Sequence, residues 1–324
     1  MIRWRPQPHQ SDFSRFVEAE VREYAKSRMS TSTNNQPVTV ESVFHHDVVQ
    51  YREYKLLLRA DRFGESQQFH KFWKIARRVA KSLGIAIRKR GKPMETHLRE
   101  VIFFDTPKFR LFNNGFILRR RTFYERGLPK PEHELVLKFR NSDMETAAAV
   151  DVRPLLPCIN VVKFKEEILL PNEKVGGMRS IFSHSCELDT PNTMLTQNFE
   201  TICQVFPALL RTGAKAKTGL SVVNGIAIEE VLVNFGEIDF GEKMTAKATL
   251  AIWRNRTTQE RFIGEYGFQL KFPSPEEFPA KARELSEAFY LGLQVEAPEW
   301  IQLATTKTST IYRMGKTPVL NTHE

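Results

Sequence analysis

Apolar positions change their period along the chain. From Ser11 to Met29, Phe13, Phe16, Val17, Val21 and Tyr24 recur about every 3.6 residues, which predicts an amphipathic helix. The polar run from Ser30 to Pro37 ends in a breaker and reads as a linker. From His46 the period falls to two. HDVVQYREYKLLLRA, HLREVIFFDTP, FILRRRTFY and HELVLKFR predict strands, as do KFKEEILL, IEEVLVNFGEIDF, ATLAIWRNR and FIGEYGFQLKF in the second half. Between the first two strands, Phe69, Phe72, Trp73, Ala76, Val79 and Leu83 form one face of a helix over 66–83, with Gly84 placed as its stop. Asn198 to Leu210 reads as a short helix. Ser274-Pro275-Glu276-Glu277 matches a capping box with Pro at the first helical position, opening a helix to about Leu291 that Gly292 ends.

Eight or more strands with few helices between them exclude a doubly wound parallel sheet. An α+β, mainly antiparallel chain built on a barrel or a pair of related sheets is expected. The organisation predicted is an N-terminal helix and linker over 1–40, followed by one domain over 41–324. No uncharged stretch is long enough to span a bilayer, and the N-terminus MIRWRPQPHQSDF lacks the apolar core of a secretory signal, so a cytoplasmic protein is expected. Cys158, Cys186 and Cys203 lie far apart without paired spacing and read as ordinary thiols. His45-His46 reads as a strand-edge pair.

Charge gives the first direction. The chain carries 48 Lys+Arg against 38 Asp+Glu, a formal net charge of +10, which favours phosphate-rich partners. No G-x-x-x-x-G-K-[ST] loop occurs, nor a G-x-G-x-x-G after a strand, so side chains rather than backbone would have to hold phosphate. Side chains two apart on a strand share a face. Glu53 and Lys55 therefore converge, as do Arg119 and Arg121, then Glu134, Lys138 and Arg140, then Lys163, Lys165 and Glu167, then Arg254 and Arg256, then Glu265, Gly267, Gln269 and Lys271. One such strand is an ordinary half-solvated strand. Repeated around a closed barrel, the same faces would make a cationic tunnel matched to phosphate oxygens, with scattered Glu suited to Mg²⁺ or Mn²⁺.

Tyr51-Arg-Glu53-Tyr-Lys55, then VIFFDTPKFRLFNNGFILRRR over Val101 to Arg121, then HELVLKFR over His133 to Arg140 resemble the CYTH superfamily of triphosphate tunnel metalloenzymes. KFKEEI, Arg211 with Lys215 and Lys217, Arg254, the GEYGFQLKF strand and Lys307 extend the likeness over about residues 46–315. The resemblance implies a closed eight-stranded tunnel barrel with flanking helices, binding a triphosphate or polyphosphate ligand and hydrolysing it with Mg²⁺ or Mn²⁺. It implies Glu53 and Lys55 as catalytic residues and Arg119, Arg121, Lys138, Arg140, Lys165, Arg254 and Lys307 as phosphate ligands, with Arg99 and Arg211 as further basic positions. Glu53, Glu167 and Glu265 are the implied metal ligands.

Two positions depart from the family pattern. Tyr51 stands where the opening motif has its first Glu, and the late strand reads Glu265-Tyr-Gly267 with Gln269 beyond. A phenol or amide neutralises a divalent ion far less than a carboxylate. Metal-assisted triphosphate hydrolysis is therefore the leading expectation, with a non-catalytic phosphate-binding module as the alternative. Nucleic acid is disfavoured as a partner, because the basic residues alternate along strands and no DNA- or RNA-binding motif is present.

Overall fold

The computed structural model describes residues 47–88, 94–155, 158–191 and 198–321. The predicted N-terminal helix, the linker and the His45-His46 pair lie outside the described residues.

Eleven strands form one sheet: β1 (Tyr51–Leu58), β2 (Ala86–Arg88), β3 (Glu95–Asp105), β4 (Phe116–Glu125), β5 (Leu128–Asn141), β6 (Asn160–Leu169), β7 (Arg179–Pro191), β8 (Ser221–Val222), β9 (Ile228–Asp239), β10 (Thr245–Asn255) and β11 (Arg261–Lys271). The helices are α1 (Ser66–Ser82), α2 (Arg110–Asn113), α3 (Met144–Ala148), α4 (Phe199–Val205), α5 (Ala280–Glu296) and α6 (Lys307–Arg313). Strand order is β2-β9-β10-β11-β1-β6-β7-β5-β4-β3-β8, and a further β3–β9 pairing closes the circuit. The barrel thus has nine strands, with β2 and β8 attached outside the circuit, and not the eight expected. It is also mixed, since β1 and β6 run parallel with Glu53 beside Glu167. The unforeseen barrel strand is β7, where Ser183, Ser185 and Glu187 alternate with His184, Cys186 and Leu188 and leave little aliphatic signal.

Outside the barrel, α1 and α5 cover the outer faces of β1, β9, β10 and β11, burying Phe72, Val79, Tyr266, Phe268, Phe289 and Leu293 in one core. A second core lies against β4, β5 and β7, around Leu118, Leu137, Leu188 and Phe206. The helix over 66–82 forms as the spacing predicts, and Gly84 supplies the left-handed φ of 69° just beyond it. Gly292 does not end a helix. The segment Pro275–Glu277 makes one 3-10 turn, α5 starts only after Pro279, and it runs through Gly292 to Glu296. A Cβ at Gly292 would lie 2.7 Å from Cγ1 of Val79, so the glycine permits close approach of α5 to α1.

A third core fills one end of the bore. Leu57, Val101, Phe103, Ile117, Ile228, Trp253 and Ile263 meet Phe109, Phe112, Ile311 and Tyr312 there. Tyr312 stacks on Phe112 at 3.9 Å, and its hydroxyl donates to Asp105 at 3.1 Å. Asp105 also accepts from the amides of Thr106 (2.6 Å), Leu111 (3.0 Å) and Phe112 (2.9 Å). The F-F-D-T-P stretch of the sequence is therefore a clamp that seats α2 and α6 as a stopper. Among the described residues no helix is long and apolar enough to cross a membrane.

Candidate functional site

Beyond the stopper, the inward positions of the same strands turn polar. A cavity of about 200 Å³ is lined by Glu53 and Lys55 from β1, Arg119 and Arg121 from β4, Lys138 and Arg140 from β5, Lys165 and Glu167 from β6, and Ser185 and Glu187 from β7. Glu265 of β11, Trp253 of β10 and Lys307 at the start of α6 add to the wall, with Leu57, Leu169, Thr306 and Thr308 filling the rest. Alternation forces this convergence, because a closed barrel turns one face of every strand inward.

Glu167 sits at the centre with no solvent exposure. It receives Lys55 at 2.7 Å, Lys138 at 2.8 Å and Arg140 at 3.0 Å. Burial pushes its carboxyl up, but Arg140, Lys138 and Lys55 outweigh burial and hold it well below the usual carboxylate range. Glu53 faces Lys165 at 3.2 Å and Lys55 at 3.3 Å, and those two lysines likewise override its burial and keep it ionised. Lys307 reaches Glu265 at 2.8 Å and Glu230 at 3.5 Å, with its ammonium 4.7 Å from the centre of the Trp253 ring. Arg121 bonds Glu134 at 2.5 Å, with Arg119 3.8 Å from the same carboxylate. Burial, then the charge of Arg121, lowers Arg119 to about 10. Burial drives Lys138 down to about 7, because Lys55, Arg140 and Lys165 oppose the help it receives from Glu167. The Nε atoms of Arg119 and Arg121 are buried donors without a hydrogen-bond acceptor among the described residues. Such donors are costly unless water or a bound anion satisfies them.

Nearly all the positions singled out in the sequence therefore meet in one cavity. Arg254 does not. It follows a bulge after Trp253, and its Nε bonds Glu229 of β9 at 2.6 Å away from the cavity. Arg211 is exposed and donates to the carbonyl of Ala149. Arg99 lies one carboxylate away from the cavity, its guanidinium 3.4 Å from Glu230. Glu187, Glu230, Ser185 and Trp253 were not singled out. Glu187 is on the unforeseen strand, and the Glu229-Glu230 pair gives no sequence signal for which carboxylate turns inward.

The donor set does not fit the Mg²⁺ or Mn²⁺ expected at Glu53, Glu167 and Glu265. Among the described residues, no three acidic, histidine or cysteine side chains converge as metal ligands. Both oxygens of Glu167 already serve three cations, and Glu265 serves Lys307. Where a further carboxylate was expected, Tyr51 stands with the ammoniums of Lys165 and Lys271 each within 5.6 Å of its ring centre. The Gln269 amide oxygen accepts from Lys165 at 2.5 Å. A divalent ion would have to displace lysines that now neutralise these carboxylates.

Fold and site define a stoppered mixed β-barrel with a cationic bore. No protein-family model matches the sequence, and no curated protein matches it. Solved structures similar to the chain include a Hippeastrum protein, assigned as an adenylyl cyclase and described as having a dominant triphosphatase activity, at 15% identity and a TM-score of 0.41, covering 85% of this chain and 100% of its own. The PH1819 protein of Pyrococcus horikoshii is 10% identical with a TM-score of 0.33, covering 81% of this chain and 99% of its own. A Bacillus halodurans protein assigned as an adenylate cyclase is 13% identical with a TM-score of 0.33, covering 75% of this chain and 91% of its own.

Proposed function

We propose that the bore binds the phosphate chain of a triphosphate-containing or polyphosphate ligand. The observation that carries this reading is the convergence of seven cations, Lys55, Arg119, Arg121, Lys138, Arg140, Lys165 and Lys307, on one cavity that contains four carboxylates, Glu53, Glu167, Glu187 and Glu265. The lining itself carries a formal excess of three positive charges, partly offset by Glu134 beside Arg121 and Glu230 beside Lys307, inside a low-dielectric wall where charge-assisted bonds to an anion are strong. Volume narrows the ligand. About 200 Å³ is below the roughly 300–1,000 Å³ that encloses a drug-sized molecule, so the cavity suits a phosphate chain better than a whole organic ligand. The CYTH-like motifs support the same reading, and residues 41–324 are proposed to act as the binding unit with 1–40 as a separate segment.

Turnover is the second reading, favoured by Lys138. A lysine that titrates near neutrality can hand a proton to a departing phosphate, and phosphoryl transfer otherwise needs mainly positioning and charge stabilisation. The experiment measures phosphate release from tripolyphosphate, ATP and thiamine triphosphate with Mg²⁺, with Mn²⁺ and with neither, alongside binding on the same samples. Binding is expected in the wild type and in Glu53→Gln, and its loss in Arg119→Ala/Arg121→Ala. Wild-type protein that binds none of the three ligands contradicts the proposal. Metal-dependent turnover lost in Glu53→Gln contradicts the poor fit of the donor set to a divalent ion.

A further inference from the structure

Half of the formal excess charge of the chain lies on one helix outside the barrel. The helix α1 reads SQQFHKFWKIARRVAKS, with Lys71, Lys74, Arg77, Arg78 and Lys81 and no Asp or Glu, a formal +5 against +10 for the whole chain. Its apolar face is fully used, since Phe72, Ala76, Val79 and Ala80 are buried in the core and Phe69 and Trp73 pack against it. Lys71, Lys74, Arg78 and Lys81 recur at three- and four-residue intervals and form one straight row. At 1.5 Å per residue the row is about 15 Å long.

Neutralisation is nearly absent. Among the described residues only Arg78 of this row has a carboxylate nearby, Glu296 at 3.8 Å, with both side chains exposed. Like charges three and four residues apart oppose helix formation. The core contacts of α1 require none of them. The row borders an open groove of about 720 Å³ lined by Lys74, Arg77, Arg78, Lys81 and the segment Gly84–Ile87.

We infer that this groove is a sequence-independent docking surface for the phosphate backbone of a nucleic acid duplex. Charge complementarity identifies a polyanion, and three further features narrow it. The row is straight and rigid and carries four cations over about 15 Å, enough to meet several phosphates of a duplex. None of the strongly exposed large apolar side chains among the described residues lies on α1 or β2, so these two elements offer nothing to enter a bilayer as an interfacial helix does. Among the described residues no exposed aromatic side chain lines it, so they give single-stranded bases no stacking platform. This surface is separate from the bore. The sequence-level case against nucleic acid rested on the alternating strand residues and on the lack of a binding motif; α1 is not a strand, and a contact to backbone phosphate needs no base-reading motif.

The test is fluorescence anisotropy with a labelled 20-base-pair duplex of arbitrary sequence over a range of salt, using the whole chain. Four phosphate contacts predict a slope of log K against log salt near −3.6, which is about a 100-fold loss of affinity for a fourfold rise in salt. In Lys71→Ala/Lys74→Ala/Arg77→Ala/Arg78→Ala/Lys81→Ala, binding at low salt is expected to fall at least 100-fold and the slope to approach zero. These residues are exposed and their mutual repulsion opposes the helix, so the variant is expected to melt at or above the wild-type temperature and to retain tripolyphosphate binding. Three results would overturn the inference: a wild-type salt slope in that variant, displacement of the duplex by stoichiometric tripolyphosphate, or preference for long-chain polyphosphate or anionic vesicles over the duplex.

Discussion

Lys138 shows how much of a residue's behaviour depends on what closes around it. Its position on the charged face of β5 is legible from alternation, but its low pKa of about 7 arises from burial beside three other cations, which no single strand reveals. A phosphate ligand adds negative charge beside it and raises its pKa, so above pH 7 binding must take up a proton. Affinity for tripolyphosphate is therefore expected to fall as pH rises from 7 to 9, with proton uptake measured by calorimetry in buffers of different ionisation enthalpy. Lys138→Met should remove that uptake; an unchanged uptake would assign the proton to another group. Arg254 marks where residue-level reading failed. Charged residues were taken to face inward, yet at the stopper end the bore is apolar, so Trp253 turns in and Arg254 turns out.

At the scale of elements, most strands and α1 were legible because period and breakers agreed. The exceptions have physical causes. β7 carries Ser, His and Cys where strands usually show aliphatics, and Gly292 has the look of a helix stop while serving as a packing contact. The β-branched side chain of Val79 is stiff in a helix, so Gly292→Leu is expected to cost about 2 kcal/mol in denaturant unfolding. Val79→Ala should return part of that loss in a double-mutant cycle; strictly additive effects would refute the contact. The clamp at Asp105 yields a second expectation. Asp105→Ala leaves three buried amides and the Tyr312 hydroxyl without their acceptor, which should lower stability by about 3 kcal/mol or more. Because Lys307 rides on α6, tripolyphosphate affinity should fall as well. Wild-type unfolding would show that the stopper holds without the clamp.

At the scale of the whole molecule, barrel closure turns ordinary amphipathic strands into a site. Each strand alone has one charged and one apolar face, and only the circuit, closed by β3 on β9, brings six strand cations together, to which α6 adds Lys307, with fewer carboxylates in the same lining. Strand number and the stopper depend on contacts between distant segments, which is why the sequence pointed to a cationic barrel but not to nine strands or a blind end. The most direct test of this account is isothermal calorimetry of tripolyphosphate, without added metal, on the wild type and on Arg119→Ala/Arg121→Ala. Two lost charge-assisted contacts, at roughly 1.5 kcal/mol or more each, predict tight one-to-one binding in the wild type and at least about 100-fold weaker binding in the variant, which melts lower because Glu134 is left without its cations but stays folded at the assay temperature. Equal affinity in the two proteins, or no binding in either, would contradict the claim that the bore is a phosphate-chain site.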